Sequence, residues 1–314
     1  MERNFPAAVG EEPCAQVYKR KDPSENPASN FSKYRQKHAI PPAVVEPIPA
    51  SFLKVRQIVE PLNGASCPHL VTCSDGCMYV LKTRDNPQGL RTLANELIAY
   101  GCAGVLELPR VPCAFIDVDW LMTEVMRNGQ VEGRKLGLSF GSKYLSPFFA
   151  PAVETARVNN RLRDSVVACI SNKRDFLGIL VFDIWTLNTD NRQVICHWQV
   201  QGRLRAYLID NGCCFCRGRW DLPSLHYNHL FESPLVYKGV TKIEDFEPWL
   251  NILEQRVNGK LLEEIAGLVP KEWSGGGDGD LDTLVGRLDQ RRLLVRGILE
   301  NEYLAAGRFQ CGAV

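Results

Sequence analysis

The sequence predicts an α+β fold in two parts, and three observations carry it. The N-terminal half alternates short β-branched runs with turn signals around a single amphipathic helix. The C-terminal half is dominated by helical periodicity. The length, 314 residues, is about twice that of an ordinary domain. Hydrophobic residues make up 45% of the chain, enough to bury a sizeable core. A net charge of +1 argues against a strongly basic nucleic-acid-binding surface and against an acidic solvating tail.

Residues 1–48 read as a solvated arm. They are polar, punctuated by Pro6, Pro13, Pro23 and Pro27, and mildly basic around Lys19–Lys21. A first lobe is expected over 49–130. Phe52–Val59 has the mixed pattern of a half-buried strand, and Pro61–Pro68 is a turn-rich loop. His69–Cys73 and Cys77–Lys82 flank the Asp75-Gly76 turn, completing a three-stranded antiparallel meander whose last strand ends in lysine. Leu90, Leu93, Ala94, Leu97 and Ile98 form one helical stripe bordered by Glu96, with Gly101 as the expected stop. Cys113–Val118 and Trp120–Met126 read as two further strands, closed by Asn128-Gly129.

The second lobe is expected over 131–314. Helices are predicted over Arg161–Asn172 and Arg174–Trp185, the latter apolar and so buried. A polar loop, Thr186–Gln193, leads into a hairpin of Val194–Trp198 and Leu204–Ile209 around Gly202, ending in Asp210-Asn211-Gly212. Thr241–Glu244 reads as a capping box before a stripe of Phe246, Trp249, Leu250, Leu253 and Val257. A Gly-rich linker at 275–280 precedes a last helix with Leu284, Leu288, Val295 and Leu299 on one side. There is no internal repeat.

The twelve cysteines need a compartment. The N-terminal stretch MERNFPAAVGEEPC has acidic residues where an export signal is apolar. The longest apolar run, Phe176–Trp185, is too short to span a bilayer and contains Asp183. A cytoplasmic chain without membrane contact is therefore expected, its thiols reduced and packed as small buried or half-buried hydrophobes. Zinc would need two well-spaced Cys pairs, and only Cys213–Cys216 makes a C-x-x-C. Walker-type loops, nucleophile elbows and H-E-x-x-H are all missing from the sequence.

Phosphoryl transfer fits better. It requires a cation on the phosphates, an anchor for that cation, a base, and oxygen ligands for metal. Lys82 at a strand end is the candidate cation, and Glu96 on the next helix is its anchor. Asp190 follows a buried helix in a loop, where a carboxylate can accept a hydroxyl proton. Asp210, before a sharp Asn-Gly turn, can hold Mg²⁺ between phosphates.

In that order these residues resemble the HipA-like protein kinase family, especially its compact branch. The matching pieces are Asn63–Ser66, Tyr79–Lys82, Asn95–Tyr100, Leu108–Pro112, Phe182–Asp190 and Leu208–Gly212. The resemblance implies a two-lobed protein-kinase-like fold that uses ATP and Mg²⁺ to phosphorylate a serine or threonine of a protein substrate. It also implies an antitoxin-like or regulatory protein partner and no direct contact with nucleic acid. Lys82 would meet the phosphates, paired with Glu96. Gly64 to Ser66 would cover them through backbone N–H groups, and the chain from Glu124 to Met126 would face adenine. Asp190 would be the base and Asp210 the principal metal ligand.

One position departs from the family. Five residues after the catalytic Asp it places a metal-binding Asn, and here that residue is Ile195. Gln193 or Asn191 would have to substitute, with Asn188 also close, and a nucleotide-binding pseudokinase or partner-binding module is the alternative. Arg217 and Arg219 fall where kinases carry their activation segment and can attract an acidic substrate.

Overall fold

In the computed structural model, residues 52–119, 137–145, 162–199, 203–223, 230–231, 233, 235–274 and 280–309 are described. They all fall within one compact unit, 43–314. The expected arm at 1–48, the strand expected over 120–126 and most of the Gly-rich linker lie outside the described residues.

Five strands close into a barrel in the order β1–β2–β3–β5–β4. They are β1 (Leu53–Pro61), β2 (His69–Cys73), β3 (Met78–Lys82), β4 (Cys113–Val118) and β5 (Gly137–Lys143). The expected meander forms, with β2 antiparallel to both β1 and β3. Closure is a short parallel contact, Leu53 opposite Ile116 and Lys54 opposite Asp117. The interior is filled by Val55, Val71, Tyr79, Leu81, Ala114, Ile116 and Val118.

β5 was not legible in the sequence, because Gly, Ser and Lys dominate it and carry little strand propensity. Its place is fixed by pairing with both β3 and β4. Gly141 is required there: a Cβ would sit 2.2 Å from Ile116 Cδ1, inside the packed barrel.

Helix α1 (Arg91–Val105) corrects one expectation. It runs straight through Gly101, which is a packing site and no helix stop. A Cβ at Gly101 would lie 2.6 Å from Ile265 Cγ2, and one at Gly104 would meet the Arg110 guanidinium. That guanidinium stacks on Tyr100 at 4.0 Å and donates to the Tyr100 carbonyl, which ties the chain leaving α1 back onto the helix.

The larger core is built around α3 (Asp175–Thr186), whose residues from Phe176 to Thr186 are all buried. Gly178 lets the Trp249 indole lie against its backbone. Helix α2 (Asp164–Cys169) is shorter than expected. The hairpin forms as β6 (Gln193–Trp198) and β7 (Leu204–Ile209), with Gly202 outside the described residues.

At Ile243–Phe246 the chain makes a 3₁₀ turn whose acceptor is Asp245, taking hydrogen bonds from the Thr241 and Lys242 N–H groups. The expected capping box placed that role one residue earlier, on Glu244. Next come α4 (Glu247–Gln255) and α5 (Gly259–Ala266), the second capped by the Asn258 side chain on the Leu261 N–H at 3.1 Å. The expected last helix is interrupted at Leu293-Leu294, giving α6 (Asp280–Arg292), α7 (Val295–Ile298) and a π-helical turn over Leu299–Leu304. Its four apolar residues are nonetheless buried. Among the described residues no helix is long and apolar enough to cross a membrane.

Candidate active site

Three elements meet at Lys82. It closes β3, is 8% exposed, and donates to Glu96 Oε1 of α1 and to Asp210 Oδ1 at 2.6 Å. Burial alone would depress the ammonium pKa, but the Glu96 and then the Asp210 carboxylate outweigh it and hold it above the usual lysine range. Glu96 is 2% exposed and accepts the Asn211 N–H on Oε2 at 3.0 Å. Its neighbour Asn95 donates to the Gly212 and Cys214 carbonyls, both at 2.9 Å. One turn of α1 therefore grips the turn after Asp210 through two adjacent side chains. Gly212 must be glycine for this, since a Cβ would lie 2.7 Å from Thr92 Cγ2 and 3.4 Å from Glu96 Oε1.

Asp210 follows β7 with φ +58°. A left-handed backbone at a non-glycine residue is uncommon and marks a constrained position. Its second oxygen accepts the Gln193 Nε2 at 2.9 Å, because Gln193 opens β6 opposite Ile209. Ile195 lies inside β6 opposite Tyr207, so the strand has begun before the position where a fifth-residue ligand would stand. Gln193 is the residue at the loop-to-strand junction.

Asp190 is exposed in the loop after α3. Its N–H donates to Asn188 Oδ1, and one of its oxygens accepts the Asn191 N–H at 2.8 Å. The Cys213 thiol points at its other oxygen, 3.7 Å away. Thr189 pins the loop by donating its N–H and hydroxyl to the Cys213 carbonyl, each at 3.1 Å. Asn188 is 1% exposed and occupied within the loop, its amide also donating to Asp183.

The pair beneath this loop was not expected from the sequence. Asp183 and Arg192 form an ion pair with both side chains wholly buried. The Arg192 Nε donates to both Asp183 oxygens at 3.0 Å. Its Nη1 reaches the Ile209 carbonyl at 3.0 Å and Asn211 Oδ1 at 2.8 Å. Arg192 thus ties the Asp190 loop to the Asp210 turn. The signal was a single carboxylate in the apolar run Phe176–Trp185, which can be buried only with a partner.

The loop between β1 and β2 carries Gly64 and Ser66. It closes on itself through Leu62 N–H to the Pro68 carbonyl at 2.8 Å and Cys67 N–H to the Gly64 carbonyl at 3.0 Å. Gly64 is exposed and Ser66 is buried. Because His69 pairs with Leu81, the loop leaves the barrel at the Lys82 end of β3. Glu124 and Met126 lie outside the described residues.

Beyond Gly212 the chain makes a left-handed turn. Phe215, Cys216 and Arg217 have φ of 55°, 58° and 57°, followed by Gly218 at 88°. Non-glycine residues cost roughly 1–2 kcal/mol each in that conformation. Clamps offset the cost: the Arg91 guanidinium donates to the Gly218 carbonyl at 2.8 Å, and the Trp220 indole N–H donates to Asn95 Oδ1 at 2.7 Å.

The ten cysteines among the described residues are free thiols. Cys67 is exposed, contrary to the expectation that all pack inside, because it lies in the β1–β2 loop. Burial, with Asp190 nearby, pushes Cys213 up to about 11, and burial pushes Cys214 up to about 12. These thiols stay protonated at neutral pH and are poor nucleophiles and metal ligands. Among the described residues no three His, Cys, Asp or Glu side chains converge on a metal position. A magnesium bound chiefly through nucleotide phosphates needs only one or two protein oxygens. Asp210 offers a carboxylate here, and Gln193 turns its Nε2 rather than its oxygen toward it.

The HipA-like kinase family matches residues 55–290, which is most of the chain and contains every residue of this site. The chain belongs to that family. Its fold is accordingly mixed α+β and kinase-like, and its activity class is that of a kinase-like phosphotransferase. No curated protein matches the chain. Among solved structures, a proinflammatory kinase, CtkA, of Helicobacter pylori is 13% identical, with TM-score 0.46 over 78% of this chain and 95% of that one. Hydra Fam20, solved with sugar, is 13% identical, with TM-score 0.47 over 82% and 87%. The Golgi casein kinase with Mn and ADP bound is 13% identical, with TM-score 0.40 over 83% and 76%.

Proposed function

We propose that this HipA-like chain is a two-lobed protein kinase that transfers the γ-phosphate of ATP to a serine or threonine hydroxyl of a protein. The observation that carries the reading is the Lys82 ammonium held between Glu96 and Asp210. In that setting Lys82 binds phosphate oxygens as a fixed cation, and Glu96 keeps it aimed. Asp190 accepts the proton of the attacking hydroxyl. Asp210 and Gln193 would hold Mg²⁺, the Gln193 amide turning its oxygen to the place where its Nε2 now faces Asp210, and the metal would neutralise charge across the phosphates. The Gly64–Ser66 loop offers backbone N–H groups to the nucleotide.

The position of Gln193 supports the kinase reading over the pseudokinase, because its side chain lies beside Asp210 and carries an amide oxygen that a rotation would bring to a metal despite Ile195. The test is transfer of radiolabel from γ-labelled Mg-ATP to the protein itself or to an added protein. We expect incorporation by the wild type and at least a 100-fold loss in Asp190→Ala. Nucleotide binding without any transfer by the wild type would sink the reading and favour the pseudokinase.

A further inference from the structure

Beside the Asp190 loop lies an opening of about 410 Å³ lined by Thr189, Cys216, Arg217 and Arg219. Among the described residues its lining holds two guanidiniums, a hydroxyl and a thiol. Both arginines are exposed, so their charge faces the solvent from which a substrate arrives. Thr189 is the chain neighbour of Asp190, which places the opening within one residue of the proposed base.

The opening is built, and its shape is fixed from several sides. Arg217 Nε donates to Thr189 Oγ1 at 3.2 Å, while that hydroxyl donates onward to the Cys213 carbonyl. The left-handed run Phe215–Gly218 turns Arg217 toward the Asp190 loop. Arg91, Asn95 and Arg287 each hold that run by hydrogen bonds to Gly218 or Trp220. Arg219 pairs with Asp221 at 3.6 Å, both groups exposed, and its Nη2 also donates to Cys216 Sγ at 2.7 Å, which holds the guanidinium at the rim of the opening.

We propose that this opening is a substrate subsite for an anionic side chain of the protein substrate, a carboxylate or a phosphomonoester close in sequence to the phosphorylated hydroxyl. Guanidiniums bind both groups through paired N–H donors, which fixes the substrate's register as well as its charge. The identity of the neighbouring acceptor rests on the kinase reading above. The anion-binding property does not, and it is tested without turnover.

The experiment uses the full chain and fluorescein-labelled peptides with a central serine, carrying Asp, phosphoserine or Lys at each flanking position in turn. Binding is followed by fluorescence anisotropy at low and high salt. The anionic peptides should bind about 10-fold tighter than the Lys peptides at one position or more, with the preference shrinking at high salt. Phosphoserine binding more tightly than Asp would identify a phosphate-reading subsite, and equal binding a carboxylate-reading one. R217E/R219E, checked for unchanged thermal unfolding, should reverse the preference. No discrimination by the wild type, or the same discrimination in R217E/R219E, overturns the proposal. So does a result in which R217E/R219E weakens binding of an ATP analogue but leaves peptide discrimination intact. The radiolabel assay judges the kinase reading separately.

Discussion

Asp183 and Arg192 form a fully buried ion pair under the loop that carries Asp190, and Arg192 extends from it to the Ile209 carbonyl and Asn211. Two segments bearing the proposed base and metal ligand are joined through one guanidinium. Removing one partner of such a pair strands the other charge in the core, at a cost of about 3–5 kcal/mol. Arg192→Leu and Asp183→Leu should each lower the urea-unfolding free energy by that amount. The double variant should lose less than the sum of the two singles. Additive losses in that cycle would mean that the two side chains do not act as a pair.

Lys82→Met should reduce phosphoryl transfer by at least about 100-fold, since the site loses the cation placed where charge develops. Glu96→Gln should lose less, because the amide oxygen can still accept the Asn211 N–H while attraction for Lys82 is gone. Initial rates with Mg-ATP and a protein acceptor would rank the two. Equal losses would place the whole effect in the pair as a unit.

Gly212→Ala tests the close approach of α1. The added methyl must displace Thr92, a buried β-branched side chain that cannot swing away. We expect a stability loss of about 1–3 kcal/mol from overpacking and a larger proportional loss of activity, read by thermal unfolding beside the rate assay.

Gln193→Ala should raise the Mg²⁺ concentration needed for half-maximal rate, and Gln193→Asn should fall between it and the wild type. A titration of rate against free Mg²⁺ separates them. If all three curves coincide, Gln193 does not touch the metal.

Alkaline pH should destabilise the fold. Cys73, Cys113, Cys196 and Cys214 are each pushed by burial from 9.0 up to about 12. Between those values the unfolded chain has released thiol protons that the folded chain keeps, so unfolding becomes easier as pH rises. The stability of the protonated thiols is fully present below pH 9 and is lost toward 12. Urea midpoints should therefore be level from pH 7 to about 8.5 and decline steadily from about pH 9 upward.

Much of this molecule is legible in the sequence because its signals are local. The stripe from Leu90 to Ile98 specifies α1, the alternation around Asp75-Gly76 specifies the β2–β3 hairpin, and the apolar run before Thr186 specifies α3. The chain order of Lys82, Glu96, Asp190 and Asp210 is likewise readable, since each stands at the end of an element or beside its apolar face. β5 is unreadable because Gly137–Lys143 gains its strand character only from neighbours on both sides. Gly101 misleads because a helical glycine that stops a helix and one that admits Ile265 look alike in sequence.

By itself, then, the sequence determined the type and order of the elements with strong local signals and the residue types available for phosphate chemistry. Tertiary structure alone decided which of them meet. Lys82 and Asp210 are 128 residues apart yet lie within 2.6 Å, and Gln193 faces Asp210 because β6 begins early. Asn95, Arg192 and the Arg217–Arg219 opening depend in the same way on partners far along the chain. The physical reason is range. Periodicity and turn chemistry act over a few residues, whereas the position of a buried charge is set by whatever distant groups can satisfy it.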